Sequence, residues 1–117
     1  MISAMNSSLS ALSAFARKQE SVAANTANVN TDGFKKTRVT IESDVAGTVR
    51  PQVSRVDTPG PLVYEQGPEG YGLVEKANVE IAEEIPQAML NSRFYQANLK
   101  VMQLSDEMLG SLLDIKG

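Results

Sequence analysis

Apolar residues in the last third of the chain fall on two lines. With Ile85 as heptad position a, position a takes Ile85, Ser92, Leu99, Asp106 and Leu113, and d takes Ala88, Tyr95, Met102 and Leu109. Positions f and c hold Leu90, Ala97, Leu104 and Ser111, and Gln87, Phe94, Val101, Met108 and Ile115. At about 100° per residue these two seams lie on nearly opposite sides of one helix. Asn91, Arg93, Gln96, Asn98, Lys100, Gln103, Glu107 and Asp114 separate them, with Met89 and Leu112 as exceptions. The spacing predicts a helix from about Glu83 to Ile115, on the order of 50 Å long. Such a helix has two stripes to bury where an ordinary surface helix has one.

The first segment, residues 3 to 29, carries Ile2, Met5, Leu9, Leu12, Ala16, Gln19 and Ala23 at alternating steps of three and four. That is coiled-coil spacing. Ala4, Ser7, Ala11 and Ala14 lie on another side, where small residues would let a second helix backbone come close. The middle changes period. Residues Thr37 to Glu42 alternate polar and apolar, a strand signal. Val49 to Val56 alternates less cleanly around Pro51, which suits an edge strand. Turn signals at Thr58-Pro59-Gly60-Pro61 and Gln66-Gly67-Pro68-Glu69-Gly70 bracket short strand candidates at Leu62–Tyr64 and Tyr71–Val74.

These patterns divide the chain into 1–34, an N-terminal helix; 35–79, a short β or loop segment; and 80–117, a long C-terminal helix. The expected fold is mainly α with a small β element. The two terminal helices pack as an antiparallel coiled-coil pair, with the strand and loop insertion between them. One helix can cover only one stripe of the other. The second stripe meets another molecule or stays exposed as a large apolar patch. A two-helix monomer with one seam in water lies near break-even against backbone ordering, so both terminal segments are expected to be mobile alone and to order on assembly.

Composition narrows the chemistry. The chain has 117 residues, a net charge of −3, three Phe, three Tyr, and no Trp, Cys or His. The acidic balance argues against a nucleic-acid partner. Without Cys there is no disulfide, thiol catalysis or thiolate metal site, and without His the commonest general base is missing. The N-terminus is uncharged until Arg17 and interrupted by serines, which reads as a helix with faces and not as a cleaved signal peptide. No catalytic constellation is found. Glu80, Glu83 and Glu84 read as complements to a helix dipole. Lys35-Lys36-Thr37-Arg38 reads as a solvated helix end, or as a cluster touching an acidic neighbour or membrane headgroups. The chain is therefore expected not to be an enzyme and to need no cofactor or metal.

The segment Ala24-Asn25-Thr26-Ala27-Asn28-Val29-Asn30-Thr31-Asp32-Gly33-Phe34-Lys35 resembles the N-terminal signature of flagellar axial proteins. The segment Asn91-Ser92-Arg93-Phe94-Tyr95-Gln96-Ala97-Asn98 resembles their C-terminal signature, followed as in that family by the Leu-rich turns Met108 to Leu113. Leu62-Val63-Tyr64-Glu65 and Asn78-Val79-Glu80 are most similar to the family's short proximal-rod type, FlgC. The resemblance implies a structural subunit of the bacterial flagellar rod, the drive shaft that transmits torque from motor to hook. Such proteins leave the cell unfolded through the flagellar type III export apparatus, without a cleaved signal peptide. They join copies of themselves and other rod proteins, between the membrane-ring base and the distal rod and hook, in the periplasmic part of the basal body. The chain departs from the pattern at Pro86, where family members continue a helix; at Asp106, in a seam; and in its short middle segment, which favours the proximal rod.

The residues expected at subunit interfaces are Met5, Leu9, Leu12, Asn25, Asn28, Phe34, Leu90, Phe94, Tyr95, Gln96, Asn98, Leu99, Val101, Met102, Leu104, Met108, Leu109 and Leu113. Asn25 and Asn28 would bond neighbouring backbones where subunits meet, against a bland reading of simple helix fraying. Gly33 would stop the first helix in a left-handed turn. The alternative function is a soluble coiled-coil adaptor or export chaperone of the flagellar or type III secretion system.

Overall fold

The computed structural model describes residues 2–116 of the chain. Its element order is α1 (Ile2–Ala27), β1 (Thr37–Ser43), β2 (Val49–Arg55), β3 (Leu62–Gly67), β4 (Gly70–Glu75) and α2 (Ile81–Lys116). The strands form two separate antiparallel hairpins, β1–β2 and β3–β4. Pro51 pairs with Ile41 in a two-stranded sheet, where every strand is an edge. The molecule measures 79 × 24 × 20 Å with a radius of gyration of 20.7 Å, against about 13 Å for a compact domain of this length.

The helices run antiparallel. The Phe15 and Phe94 rings meet at 5.2 Å, and Asn25 reaches Glu84. Continuing that register brings Ile2 opposite Glu107, so the last two or so turns of α2 have no helix beside them. Hairpin β1–β2 lies along a different side of α1. Val49 N–H donates to Ser10 Oγ (3.1 Å) near the hairpin tip, and Ser21 Oγ donates to the Thr37 carbonyl (3.0 Å) near its base. Ser7, Ser10, Ala14, Ser21 and Asn25 share this face, and Ala14 is fully buried. The small side of α1 thus admits a close neighbour, as its composition implies. The neighbour is a β-hairpin, where a helix was expected.

The α2 helix begins at Ile81, two residues before the expected Glu83. The Glu80 carbonyl accepts from the N–H groups of Glu83 and Glu84. Pro86 is the sixth helical residue and has no N–H to give the Ala82 carbonyl. Ala82 is exposed, so water can take that bond.

The contact seam differs from the apolar coiled-coil seam that the sequence predicts. Residues of α2 buried within the chain are Glu84, Asn91 and Ser105, and Ala88, Asn98, Met102 and Leu109 are half-buried. The expected a positions Ile85, Leu99 and Leu113 are 53%, 45% and 71% exposed. The helix has rolled by about one position, carrying polar and small residues against α1. The cause sits at its start, where the carboxylate of Glu84 is drawn inward by Arg38 and Asn25. On α1, likewise, only Leu12 of the expected seam is buried and Met5 half-buried, while Ile2, Leu9, Ala16, Gln19 and Ala23 are exposed.

Candidate assembly surfaces

Two regions bear on function: a polar junction that sets the direction of the helices, and an apolar surface that the described residues leave largely exposed. The junction gathers the end of α1, the start of β1, the loop before β3 and the start of α2. Asn25 is its centre and is fully buried. Its Nδ2 donates to the Thr37 carbonyl (3.0 Å) and its Oδ1 accepts from Thr37 N–H (3.0 Å). A carboxamide satisfies both backbone groups of one residue, which no apolar side chain could do. Glu84, also fully buried, accepts from Arg38 Nη1 at 2.9 Å. Arg38 Nη2 reaches Glu83 at 2.7 Å, and Lys36 reaches it at 3.0 Å. The hydrogen bond and charge of Lys36, followed by the charge of Arg38, hold the Glu83 carboxyl below the usual range.

Asn78 ties the other side. Its Oδ1 accepts from Lys36 N–H (2.7 Å), and its Nδ2 donates to the carbonyls of Val56 and Thr58. Glu75 pairs with Lys35 and accepts from Gly60 N–H (3.1 Å), which lowers its pKa in that order of effect. A Cβ at Gly60 would lie 1.9 Å from the Lys76 carbonyl oxygen, so only glycine fits there. Lys76 pairs with Asp32 and Glu65, and its pKa is raised by those two partners. The Lys35 to Arg38 cluster therefore meets acids of its own chain, where a solvated helix end was the leading expectation.

The signature residues divide by role. Asn25 works within the chain. Asn28 is a local cap: its Nδ2 donates to the Ala24 carbonyl and its Oδ1 accepts from Thr31 Oγ1. Helix α1 ends at Ala27, six residues before Gly33. Gly33 does take the left-handed conformation (φ 73°), and its N–H donates to the Glu75 carbonyl. It closes the link to β4 and does not itself cap the helix. Phe34 is half-buried, and its carbonyl accepts from Asn78 N–H. Sequence reasoning missed Glu84, Arg38 and Asn78. The signal available was the pairing of a basic run at 35–38 with acids at 75–84.

The uncovered surface is the outer side of α2. Leu90, Phe94, Val101, Leu104 and Met108, the second stripe read from the sequence, are all exposed. Leu112 and Ile115 extend it past the start of α1, and Leu113 is exposed on the other seam. Tyr95, Gln96 and Leu99 line a groove of 670 Å³ against Phe15, Ala16 and Ala23. Asn98 is half-buried, and its Nδ2 donates to the Phe94 carbonyl. Asn91 is buried with neither amide atom hydrogen-bonded. Among the described residues, no helix is long and apolar enough to cross a membrane.

Two family models match the chain at the elements that build these regions. Residues 5–35 match "Flagella basal body rod protein", and residues 72–115 match "Flagellar basal body rod FlgEFG protein C-terminal". The chain belongs to the flagellar basal body rod protein family. The first match spans most of α1 and runs through Gly33 and Lys35; the second begins within β4 and spans most of α2. This rod protein is thus a structural, motility-related component of the bacterial flagellar basal body, and its family associates with other basal-body parts. Hairpin β1–β2 and strand β3 lie between the two matches. Among curated proteins, none matches the chain.

Proposed function

We propose that this rod protein is a subunit of the proximal rod, of the short FlgC type. Its terminal helices pack beside those of neighbouring copies and of other rod proteins, and the shaft so formed carries torque from motor to hook. One observation carries this reading: on both apolar faces of α2 large residues stay exposed in the single chain, Ile85, Leu99 and Leu113 on one and Leu90, Val101, Leu104 and Met108 on the other. Burying them is worth roughly 1.5–3 kcal/mol per large side chain, which only further molecules can supply.

The contact residues in this reading are those left accessible: Leu9 on α1, and Leu90, Phe94, Tyr95, Gln96, Leu99, Val101, Leu104, Met108 and Leu113 on α2. Met5, Asn98, Met102, Leu109 and Phe34 contribute from half-buried positions. Leu12, Asn25 and Asn28 act indirectly, by fixing the helix pair and its turn. The short middle segment favours the proximal rod, because it adds little bulk outside the helices. Passage through the type III export apparatus, periplasmic placement, and contact with the membrane-ring base and the distal rod belong to the same reading.

The test expresses the tagged chain in a flagellated host lacking its own proximal-rod gene, then isolates basal bodies. Incorporation is expected for the full chain. Deletion of residues 2–20 should abolish export and motility. A full-length chain that stays cytoplasmic and binds export components would support an adaptor or chaperone and overturn the rod reading. Hydrogen exchange, fast at both ends of the free chain and slow in basal bodies, would show ordering on assembly.

A further inference from the structure

Among the described residues, hairpin β3–β4 packs against no helix and no other strand. Its register sets Tyr64 opposite Leu73 and Tyr71 opposite Gln66, so strand alternation gathers Leu62, Tyr64, Tyr71 and Leu73 on one face. The two tyrosine rings are stacked at 6.1 Å and 6°. All four residues are between 62% and 67% exposed. Together they present on the order of 500 Å² of ring and aliphatic surface, at the upper end for the largest patch of a monomer. A two-stranded ribbon is marginal in water unless a helix or further strands cover it.

We propose that this face covers the outer stripe of α2 in a second copy of the chain, around Leu90, Phe94, Val101 and Leu104. The two surfaces are compatible in length and in charge. The apolar face runs from Leu62 to the level of Tyr71, opposite Gln66, about 13 Å, and fits within the α2 stripe from Leu90 to Leu104, which spans about 21 Å. Residues 62–75 carry three glutamates and no cation. Glu65 and Glu75 are held by Lys76 and Lys35, while Glu69, at the turn, pairs with no cation among the described residues. Arg93 and Lys100 border the α2 stripe one heptad apart and pair with no carboxylate among the described residues. An acidic turn beside an apolar ribbon thus faces an apolar stripe with a basic border. Hairpin and stripe are different patches, so the contact is head-to-tail and repeats from copy to copy.

The inference rests on the reading of the chain as a self-assembling subunit, but it is tested in solution. Sedimentation of the purified full chain over a concentration series should show species larger than a dimer. Tyr64→Ser with Tyr71→Ser should raise the concentration of half-association at least tenfold, with helical circular dichroism unchanged. Glu69→Arg and Arg93→Glu should each weaken association, and mixing the two variants should restore it. With Tyr64→Cys and Phe94→Cys in one chain, oxidation should give a ladder of linked copies. Three results would overturn the contact: no association of the natural chain, association indifferent to the tyrosines, or a closed dimer linked through Tyr64→Cys alone. A chain that enters basal bodies yet fails these tests loses this contact only. One that passes them but never enters basal bodies loses the rod reading only.

Discussion

The two ends of α2 are built on opposite plans. At its start, Glu83 and Glu84 are tied into a polar network with Lys36, Arg38, Asn25 and Thr37, and the backbone groups they meet are satisfied. From about Leu99 onward the helix carries Leu99, Val101, Leu104, Met108, Leu112, Leu113 and Ile115 exposed, and the last two have no helix beside them among the described residues. Polar networks specify a unique geometry because a half-made one is costly, whereas apolar stripes accept any surface of suitable shape. The chain therefore fixes its own topology at one end and, in the function proposed, leaves the other to be completed by neighbours.

Substitutions at the two ends should separate these plans. Asn25→Ala has the largest expected effect, a loss of about 3 kcal/mol in urea unfolding, because it strands the N–H of Thr37, takes away one of the two donors to the Thr37 carbonyl and breaks one bond to Glu84. Gly60→Ala should cost about 2 kcal/mol, since the added methyl overlaps the Lys76 carbonyl and the loop must shift. Asn91→Leu should act in the other direction. It removes a buried amide that has no partner, and the midpoint of unfolding should rise by an amount worth about 1 kcal/mol. Leu104→Ser at the outer stripe should change the stability of the free chain by less than about 0.5 kcal/mol, yet reduce incorporation into basal bodies. If it destabilises the free chain as much as Asn25→Ala does, the contrast between the ends fails.

The smallest effect is on pH dependence. Lys36 and Arg38 depress the pKa of Glu83 in the folded chain, so its contribution is present above the ordinary glutamate value. It is lost as pH falls through the lower, folded value. Unfolding midpoints should therefore decline below about pH 4.3, and Glu83→Gln should make that decline slightly shallower.

Much of this was legible in the sequence, for local reasons. Period-two alternation and the Gly and Pro turns gave all four strands to within a few residues, because each hairpin is closed by its own turn. The second apolar stripe of α2 emerged largely as read, with Phe94 at its edge drawn against Phe15 of α1 and Leu90, Val101, Leu104 and Met108 left exposed. The inner seam did not. Heptad counting assigns the most apolar line to the partner helix, and here Glu84 and Asn91 take that place because ion pairing with Arg38 sets the roll of α2. That pairing joins residues 46 apart in sequence, and no periodicity reports it. Asn25 stood out as an anomaly within an alanine-rich helix, but its partner Thr37 lies beyond a turn whose path only the fold reveals.

The unequal length of the two helices has one more consequence. In the proposed shaft, the turns of α2 past Ile2 would be sheltered by molecules displaced along its axis. Layers of such a shaft would interlock as staggered joints, so that a plane across it would sever helices. A twisting load would then be borne as shear along many helix flanks at once, instead of prising any single pair of subunits apart.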